Sequence, residues 1–220
     1  MKRQYTRRWI MLPIGLILLG LLTVVIHNFA THNLHTVIDK TVYRSSQPTG
    51  ANIIADGARL HLASIINLRG AHPKAPWYQE ERRAANKAHI EHYDIALSAH
   101  ILPTDAQLAH LILMIKAAPK PVLLHCMGGA DRTGLASAIS LVLFAHPTEV
   151  QIKRQMTWRY NVFSRHTVGY QVFSQYFRVR DQADQADQAD KADKKINADH
   201  FLRWVANGPN LQPVWGWFVV

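Results

Sequence analysis

The sequence predicts an α/β fold in which a single, largely parallel central sheet is flanked by helices, with one transmembrane helix at the N-terminus. Short apolar runs alternate along the chain with longer segments of helical character, a pattern typical of parallel sheets covered on both faces. The run 122–125 is almost wholly apolar, as in a strand buried on both sides. Without its two ends, the chain of 220 residues leaves about 140 to 150 residues, enough for one hydrophobic core.

The N-terminal segment carries the first strong pattern. Residues 1–8 include four basic side chains, and 9–26 form an uncharged apolar run of 18 residues. A bilayer crossing needs roughly 20 residues, whereas the core of a cleaved signal peptide usually has about 7 to 15. We therefore expect a single-pass signal anchor in the cell membrane, with 1–8 in the cytoplasm and the rest outside, in the periplasm where the cell has one. Secretion after signal cleavage is the alternative.

The following elements are assigned from apolar runs, alternation and capping signals. His92 to Leu97 alternates as a strand does, and Thr104 or Asp105 is a typical N-cap for the helix after it. Thr148 similarly provides a turn and cap between the last two helices. We expect strands over 41–44, 64–68, 92–97 and 122–125, and helices over 52–62, 77–89, 105–118, 133–145 and 148–160.

The stretch PVLLHCMGGADRTG, residues 121–134, combines unusual chemistry with this frame. It places the only cysteine, Cys126, after a buried strand and just before a helix. A helix N-terminus leaves unpaired N–H groups and favours anions. Gly128 and Gly129 allow successive N–H groups to point inward, and Arg132 adds a two-pronged donor for phosphate oxygens. The loop therefore predicts a site for a dianion beside a thiolate.

These residues resemble a known family. The pattern HC-x5-R-T is similar to the signature loop of the cysteine-dependent protein tyrosine and dual-specificity phosphatases, most of all in their small bacterial branch. The segments VYRSSQPTG at 42–50 and SIINLRG at 64–70 also resemble that branch. The resemblance covers roughly residues 40–175 and implies a phosphatase of the protein-tyrosine or dual-specificity type.

The resemblance also implies a role for each loop residue. Cys126 would attack phosphorus to form a phosphocysteine, and Arg132 would hold the equatorial oxygens in the transition state. Thr133 would help the thiolate leave, and His125 would position the loop. The N–H groups that bind phosphate would come from Met127, Gly128, Gly129, Ala130 and Asp131. The mechanism requires no metal and no cofactor.

Three aspartates are candidates for the general acid. Asp131 ranks first because it lies within the loop, as in the myotubularin signature. Asp105 is second and Asp94 third; both lie in the segment 92–108 before the signature strand, where family members usually place the acid on a separate loop. Helix capping is the alternative role of Asp105, and a salt bridge to a neighbouring basic residue is that of Asp131.

The sequence is compatible with several classes of substrate. The loop has no lysine between Cys126 and Arg132, which favours phosphotyrosine, or a promiscuous phosphomonoester activity, over polyphosphoinositides. A lipid phosphatase is the alternative, supported by the predicted membrane anchor, and an inactive phosphate-binding module is a further one. Sulfur transfer through a persulfide fits worse, because the rhodanese loop is one residue shorter. Nine basic residues could line the rim or belong to solvated surface: Arg44, Arg69, Lys74, Arg82, Arg83, Lys153, Arg154, Arg159 and Arg165.

Composition limits the partners. The net charge of +10 favours anionic partners, either a phosphorylated protein or a phospholipid, but no nucleic-acid-binding motif is present. The 13 histidines show no metal-binding spacing. The predicted organisation has a catalytic domain over 37–178, a repetitive spacer over 181–195 and an aromatic tail over 196–220. That tail would dock on the domain, touch a membrane or bind a partner, and no oligomeric state is predicted.

Overall fold

A five-stranded, mostly parallel sheet forms the centre of the computed structural model, which describes residues 2–183 and 195–212. The strand order is β1-β2-β5-β3-β4, and only the edge strand β1 runs antiparallel to its neighbour. The strands are β1 (His35–Ile38), β2 (Val42–Ser45), β3 (Ser64–Asn67), β4 (Glu91–Asp94) and β5 (Val122–His125).

Helices flank this sheet on both faces. The helices of the described residues are α1 (Lys2–Ala30), α2 (Gly50–Leu60), α3 (Pro76–Lys87), α4 (Asp105–Ala117), α5 (Asp131–Phe144), α6 (Glu149–Arg154), α7 (Val168–Ala183) and α8 (Ala198–Ala206). Thr104 is the N-cap of α4, and Thr148 is the N-cap of α6; each hydroxyl accepts a hydrogen bond from the backbone N–H of a glutamine three residues later.

The sheet divides the core in two. Val122 and Leu124 of β5 face the larger cluster, to which α4, α5, α7 and α8 contribute, while Leu123 faces a smaller cluster with α2 and α3. This alternation follows from the two-residue period of a strand. Every residue of β5 is buried, as expected for a central parallel strand.

The register of the parallel strands positions the functional end of the sheet. Ser45 of β2 and Asn67 of β3 both lie opposite His125 of β5. The loops that follow β2, β3 and β5 therefore leave the sheet at the same edge and meet there.

The N-terminal prediction is overturned. No helix within the described residues combines the length and apolar character needed to cross a membrane. This finding contradicts the transmembrane helix of the predicted fold class and the placement in the cell membrane that depended on it. Helix α1 also carries the four basic residues of 1–8, and its last turn is attached to the domain through Asn28, whose Nδ2 donates to the Arg159 carbonyl over 2.8 Å.

Two further predictions are corrected by local geometry. The helix predicted over 148–160 is interrupted: α6 ends at Arg154, and a short 3₁₀ turn follows at Trp158–Tyr160 before Asn161 takes a left-handed conformation. The predicted strand over 92–97 ends at Asp94. Strand β1 was not predicted, because four residues at a sheet edge carry too little apolar alternation to stand out.

The first part of the C-terminal tail docks on the domain. Helix α8 buries Phe201, Trp204 and Val205 in the larger core cluster. Most of the predicted spacer, 184–194, and the end of the tail, 213–220, lie outside the described residues.

Candidate active site

The loop between β5 and α5 has the geometry of an anion site. Cys126 is the first residue after β5 and is only 3% exposed. The backbone N–H groups of residues 127–130 have no hydrogen-bond acceptor among the described residues. Unpaired N–H groups at a helix N-terminus attract a negatively charged ligand.

Gly129 allows the loop to take this shape. Its φ of +67° lies in the left-handed region, and an added Cβ would come within 2.8 Å of the Ser45 carbonyl oxygen. Gly128 has open space around it, and the neighbouring Met127 is 65% exposed. The loop therefore packs on β2 at Gly129 and is open to solvent at 127–128. Ala130, at its end, accepts a hydrogen bond from the Gly134 N–H over 2.7 Å.

Arg132 and Thr133 lie on the first turn of α5. The Arg132 Nη1 donates to the Leu97 carbonyl over 3.3 Å, whereas its Nε is buried without a partner in the described part of the chain. The Thr133 hydroxyl is likewise buried and unpartnered there. Buried polar atoms are normally hydrogen-bonded, so both are available to a bound ligand or to the thiolate.

His125 is held by a buried carboxylate that sequence reasoning missed. Its Nε2–H donates to Glu81 Oε1 over 3.0 Å, and neither side chain is exposed. His92 and Gln47 also donate to Glu81. Burial opposes ionisation of Glu81, but the hydrogen bonds from His125, His92 and Gln47 outweigh it and hold its pKa well below the ordinary value.

Arg44 supports the loop at Gly129 and does not line the rim of the site, one of the two positions considered for it from the sequence. It is fully buried; its Nη2 donates to the Gly129 carbonyl and its Nη1 to the Gln155 carbonyl, each over 2.8 Å. Its guanidinium lies 3.8 Å from the centre of the Tyr160 ring. Burial lowers the pKa of Arg44 to about 10, against the opposing effects of Tyr160 and Cys126, so the side chain stays charged at neutral pH.

The segment that links α1 to β1 also contacts the loop. The Asn33 Nδ2 donates to the carbonyls of Gly128 and Gly129 over 3.1 and 3.5 Å. His35 and Asn28 extend this network, since the His35 Nε2 lies 3.0 Å from Asn33 Oδ1 and 3.3 Å from Asn28 Oδ1. Burial, together with the charge of Arg44, lowers the pKa of His35 to about 4, so this imidazole is neutral at physiological pH.

The three candidate acids have different surroundings. Burial raises the pKa of Asp131, although His100 and Arg132 oppose the shift, and the side chain forms no ion pair among the described residues. Asp105 begins α4 and accepts a hydrogen bond from the Asn210 N–H over 3.4 Å. Asp94 accepts hydrogen bonds from the Tyr78 hydroxyl over 2.6 Å and from the Asn67 amide over 2.8 Å.

The residues that position the loop carried little sequence signal of their own. Arg44 and Gln47 lie in the segment 42–50 that supports the family resemblance, but nothing in its pattern assigned them to the loop. Glu81 was hidden because it lies on a helix that is otherwise rich in charged residues.

Comparison with known proteins adds independent information. A family model described as the DSP-PTPase phosphatase domain of Swiss Army Knife proteins matches residues 31–193. A comparison with curated proteins gave no match.

Among the solved structures of low sequence identity that match, SIW14 and PTPMT1 share the fold. The core catalytic domain of the PP-IP phosphatase SIW14 from S. cerevisiae, in complex with citrate, is 21% identical, with a TM-score of 0.53; the match covers 70% of this chain and 94% of that one. PTPMT1 is 15% identical over 69% of this chain and 99% of its own, with a TM-score of 0.50. TpbA from P. aeruginosa in complex with pTyr is 21% identical over 59% and 75%, with a TM-score of 0.48.

Proposed function

Because the chain belongs to the DSP-PTPase phosphatase family, whose members hydrolyse phosphomonoesters, we propose that it dephosphorylates phosphotyrosine through a phosphocysteine at Cys126. The observation that carries this proposal is the group of unpaired N–H donors in residues 127–130 beside the cysteine. Arg132, with its unpartnered Nε, supplies the charge that a phosphate dianion requires.

The reaction has two steps in this proposal. The Cys126 thiolate attacks phosphorus, so an S–P bond forms while the bond to the ester oxygen breaks. Arg132 and the loop N–H groups bind the oxygens on which charge develops. A water molecule then attacks the phosphocysteine and gives a proton to the ionised general acid, the S–P bond breaks, and inorganic phosphate leaves. The Thr133 hydroxyl would donate a hydrogen bond to the departing thiolate.

Asp131 is our choice for the general acid that protonates the leaving oxygen. Its raised pKa keeps the carboxyl protonated closer to neutral pH, as a proton donor requires. Asp94 is already occupied as an acceptor for Tyr78 and Asn67, and Asp105 is held at the start of α4.

Hydrolysis of para-nitrophenyl phosphate and of a phosphotyrosine peptide by the full chain tests both parts. We expect Cys126→Ser to abolish turnover. Asp131→Asn should lower kcat by about 10² to 10³ and remove the fall of kcat at high pH, because that fall reports loss of the acidic proton. Asp105→Asn is the matched control and should keep the wild-type pH profile.

The outcomes separate the alternatives. Phosphate binding by a folded wild-type protein without turnover would favour the inactive binding module. A lost alkaline fall in Asp105→Asn, with an intact one in Asp131→Asn, would transfer the role of acid to Asp105. The lipid-phosphatase alternative rested mainly on the predicted membrane anchor and no longer has that support.

A further inference from the structure

Arg69, which follows β3, has a backbone held in one conformation by Asn67. The Asn67 Oδ1 accepts from the Arg69 N–H over 2.9 Å, and the Asn67 Nδ2 donates to the Gly70 carbonyl over 2.9 Å. Gly70 completes this turn with a φ of +80°. The turn therefore sets the direction in which the Arg69 side chain leaves the backbone.

The side chain of Arg69 is also fixed. Its Nη1 donates to Gln47 Oε1 over 2.6 Å, and its guanidinium stacks 3.5 Å from the centre of the Trp77 ring. Gln47 is in turn bound to the buried Glu81, to which its Nε2 donates over 2.5 Å. A long side chain held by a hydrogen bond at one nitrogen and by a stacked ring on one face loses little further entropy when it binds a ligand.

This guanidinium is linked to the phosphate loop through Gln47. Strand β3 runs next to β5, and the Leu68 N–H donates to the His125 carbonyl over 2.9 Å. Gln47 contacts the loop directly, since its backbone N–H donates to the Met127 carbonyl over 3.1 Å. Arg69 is therefore tethered to a residue that itself contacts the loop one position after Cys126.

Within the described residues Arg69 forms no ion pair, and its nitrogens other than Nη1 make no hydrogen bond. Burial and the nearby charge of Arg132 lower the pKa of Arg69, against the opposing effects of Glu81 and Cys126. A single phosphate held by Arg132 and the loop would leave this second guanidinium without an anion.

We propose that Arg69 and Trp77 form a subsite for a second phosphate group carried next to the scissile one. This inference rests on the proposed hydrolysis at Cys126 and extends it beyond phosphotyrosine: among phosphomonoesters cleaved there, those with a neighbouring phosphate bind best. The Arg69 nitrogens left free by Gln47 bind the second phosphate, and the stacked Trp77 keeps them in place. Phosphotyrosine by itself leaves this subsite unused.

Calorimetric titration of the full chain with methylphosphonate and with methylenediphosphonate tests the subsite. Both probes resist hydrolysis, and the ratio of their Kd values removes any effect of a substitution on the shared phosphate site. We expect the diphosphonate to bind the wild type about tenfold more tightly, as is typical of an added charge-assisted hydrogen bond. Arg69→Gln should abolish this preference.

Two further variants keep the test decisive. Arg83→Gln removes the same charge from an exposed position on α3 and should retain the wild-type ratio. Trp77→Leu should lower the ratio by removing the stacking surface, and it decides the matter if Arg69→Gln does not fold. The subsite would be overturned if Arg69→Gln had the same ratio of Kd values as the wild type, or if Trp77→Leu did where Arg69→Gln does not fold. Equal binding of both probes by the wild type would overturn it as well.

Turnover of para-nitrophenyl phosphate measured on the same samples separates this inference from the reaction. If the wild type hydrolyses para-nitrophenyl phosphate and Arg69→Gln leaves the ratio of Kd values unchanged, only the subsite is refuted. An Arg69-dependent ratio without turnover would refute the proposed hydrolysis and leave the anion subsite standing.

Discussion

Glu81 accepts three hydrogen bonds close to the candidate nucleophile. It accepts hydrogen bonds from His125, His92 and Gln47, which come from β5, β4 and the segment after β2. A fully buried carboxylate is stable only when such donors replace the water it has lost. One charge therefore fixes both the histidine before Cys126 and the glutamine that holds Arg69.

Replacement of Glu81 by glutamine should give a pH-dependent loss of stability. Because the folded state lowers the pKa of Glu81, its contribution is fully present above the ordinary value of 4.5 and is lost as the pH falls below it. We expect Glu81→Gln to reduce the free energy of unfolding by about 2 kcal/mol at pH 7. The difference from wild type should shrink below pH 4.5 in urea titrations.

Asp39→Asn is the control, since Asp39 is exposed on the turn between β1 and β2. A stability difference for Glu81→Gln that stays constant from pH 7 to pH 3 would show that the lost charge is not responsible.

At the scale of elements, the connection from α1 to β1 contacts the phosphate loop through Asn33. Asn33 is 1% exposed and bonded to two loop carbonyls, and Asn28 at the end of α1 is 2% exposed. The carbonyls of Gly128 and Gly129 are thereby turned toward Asn33. Since a peptide unit is planar, this turns the N–H groups of the following residues the opposite way.

Asn33→Ala should therefore lower kcat more than it weakens binding of the part of the substrate outside the phosphate group. We expect kcat for para-nitrophenyl phosphate to fall about tenfold, because the loop N–H groups lose their alignment with the developing charge. Steady-state kinetics would measure this change. Thr36→Ala, at an exposed position in β1, should have wild-type kinetics; a similar loss in both variants would point to a general disturbance of the strand.

At the scale of the whole molecule, the core extends beyond the predicted catalytic domain of 37–178. The Phe201 ring of α8 stacks on Phe173 of α7, with centroids 5.5 Å apart, and packs edge-on against Tyr176 at 5.1 Å. Phe201 is fully buried, so α8 covers a face of the core that α4, α5 and α7 would otherwise expose.

Truncation of this ring should destabilise the fold. Phe201→Ala is expected to lower the free energy of unfolding by about 3 to 5 kcal/mol, because it leaves a cavity among aromatic neighbours. Urea denaturation would measure the change, with Arg203→Ala on the exposed face of α8 as the control. Equal stabilities for the two variants would mean that α8 contributes little to the core.

The sequence by itself determined the features that neighbouring residues decide. The apolar run of β5, the caps at Thr104 and Thr148, and the order of cysteine, glycines and arginine in one loop are all local, and they were sufficient to indicate the family. The apolar run at 9–26 was equally clear as a local pattern, yet the anchor predicted from it was wrong.

Only the tertiary structure decided which distant residues complete the site. Glu81 precedes His125 by 44 positions, Asn33 precedes Gly128 by 95, and Arg44 precedes Gln155 by 111. No periodicity or spacing links such pairs. They meet because the sheet and the helices packed on it bring chain segments that are distant in sequence to one end of β5, and that arrangement depends on the packing of the whole chain.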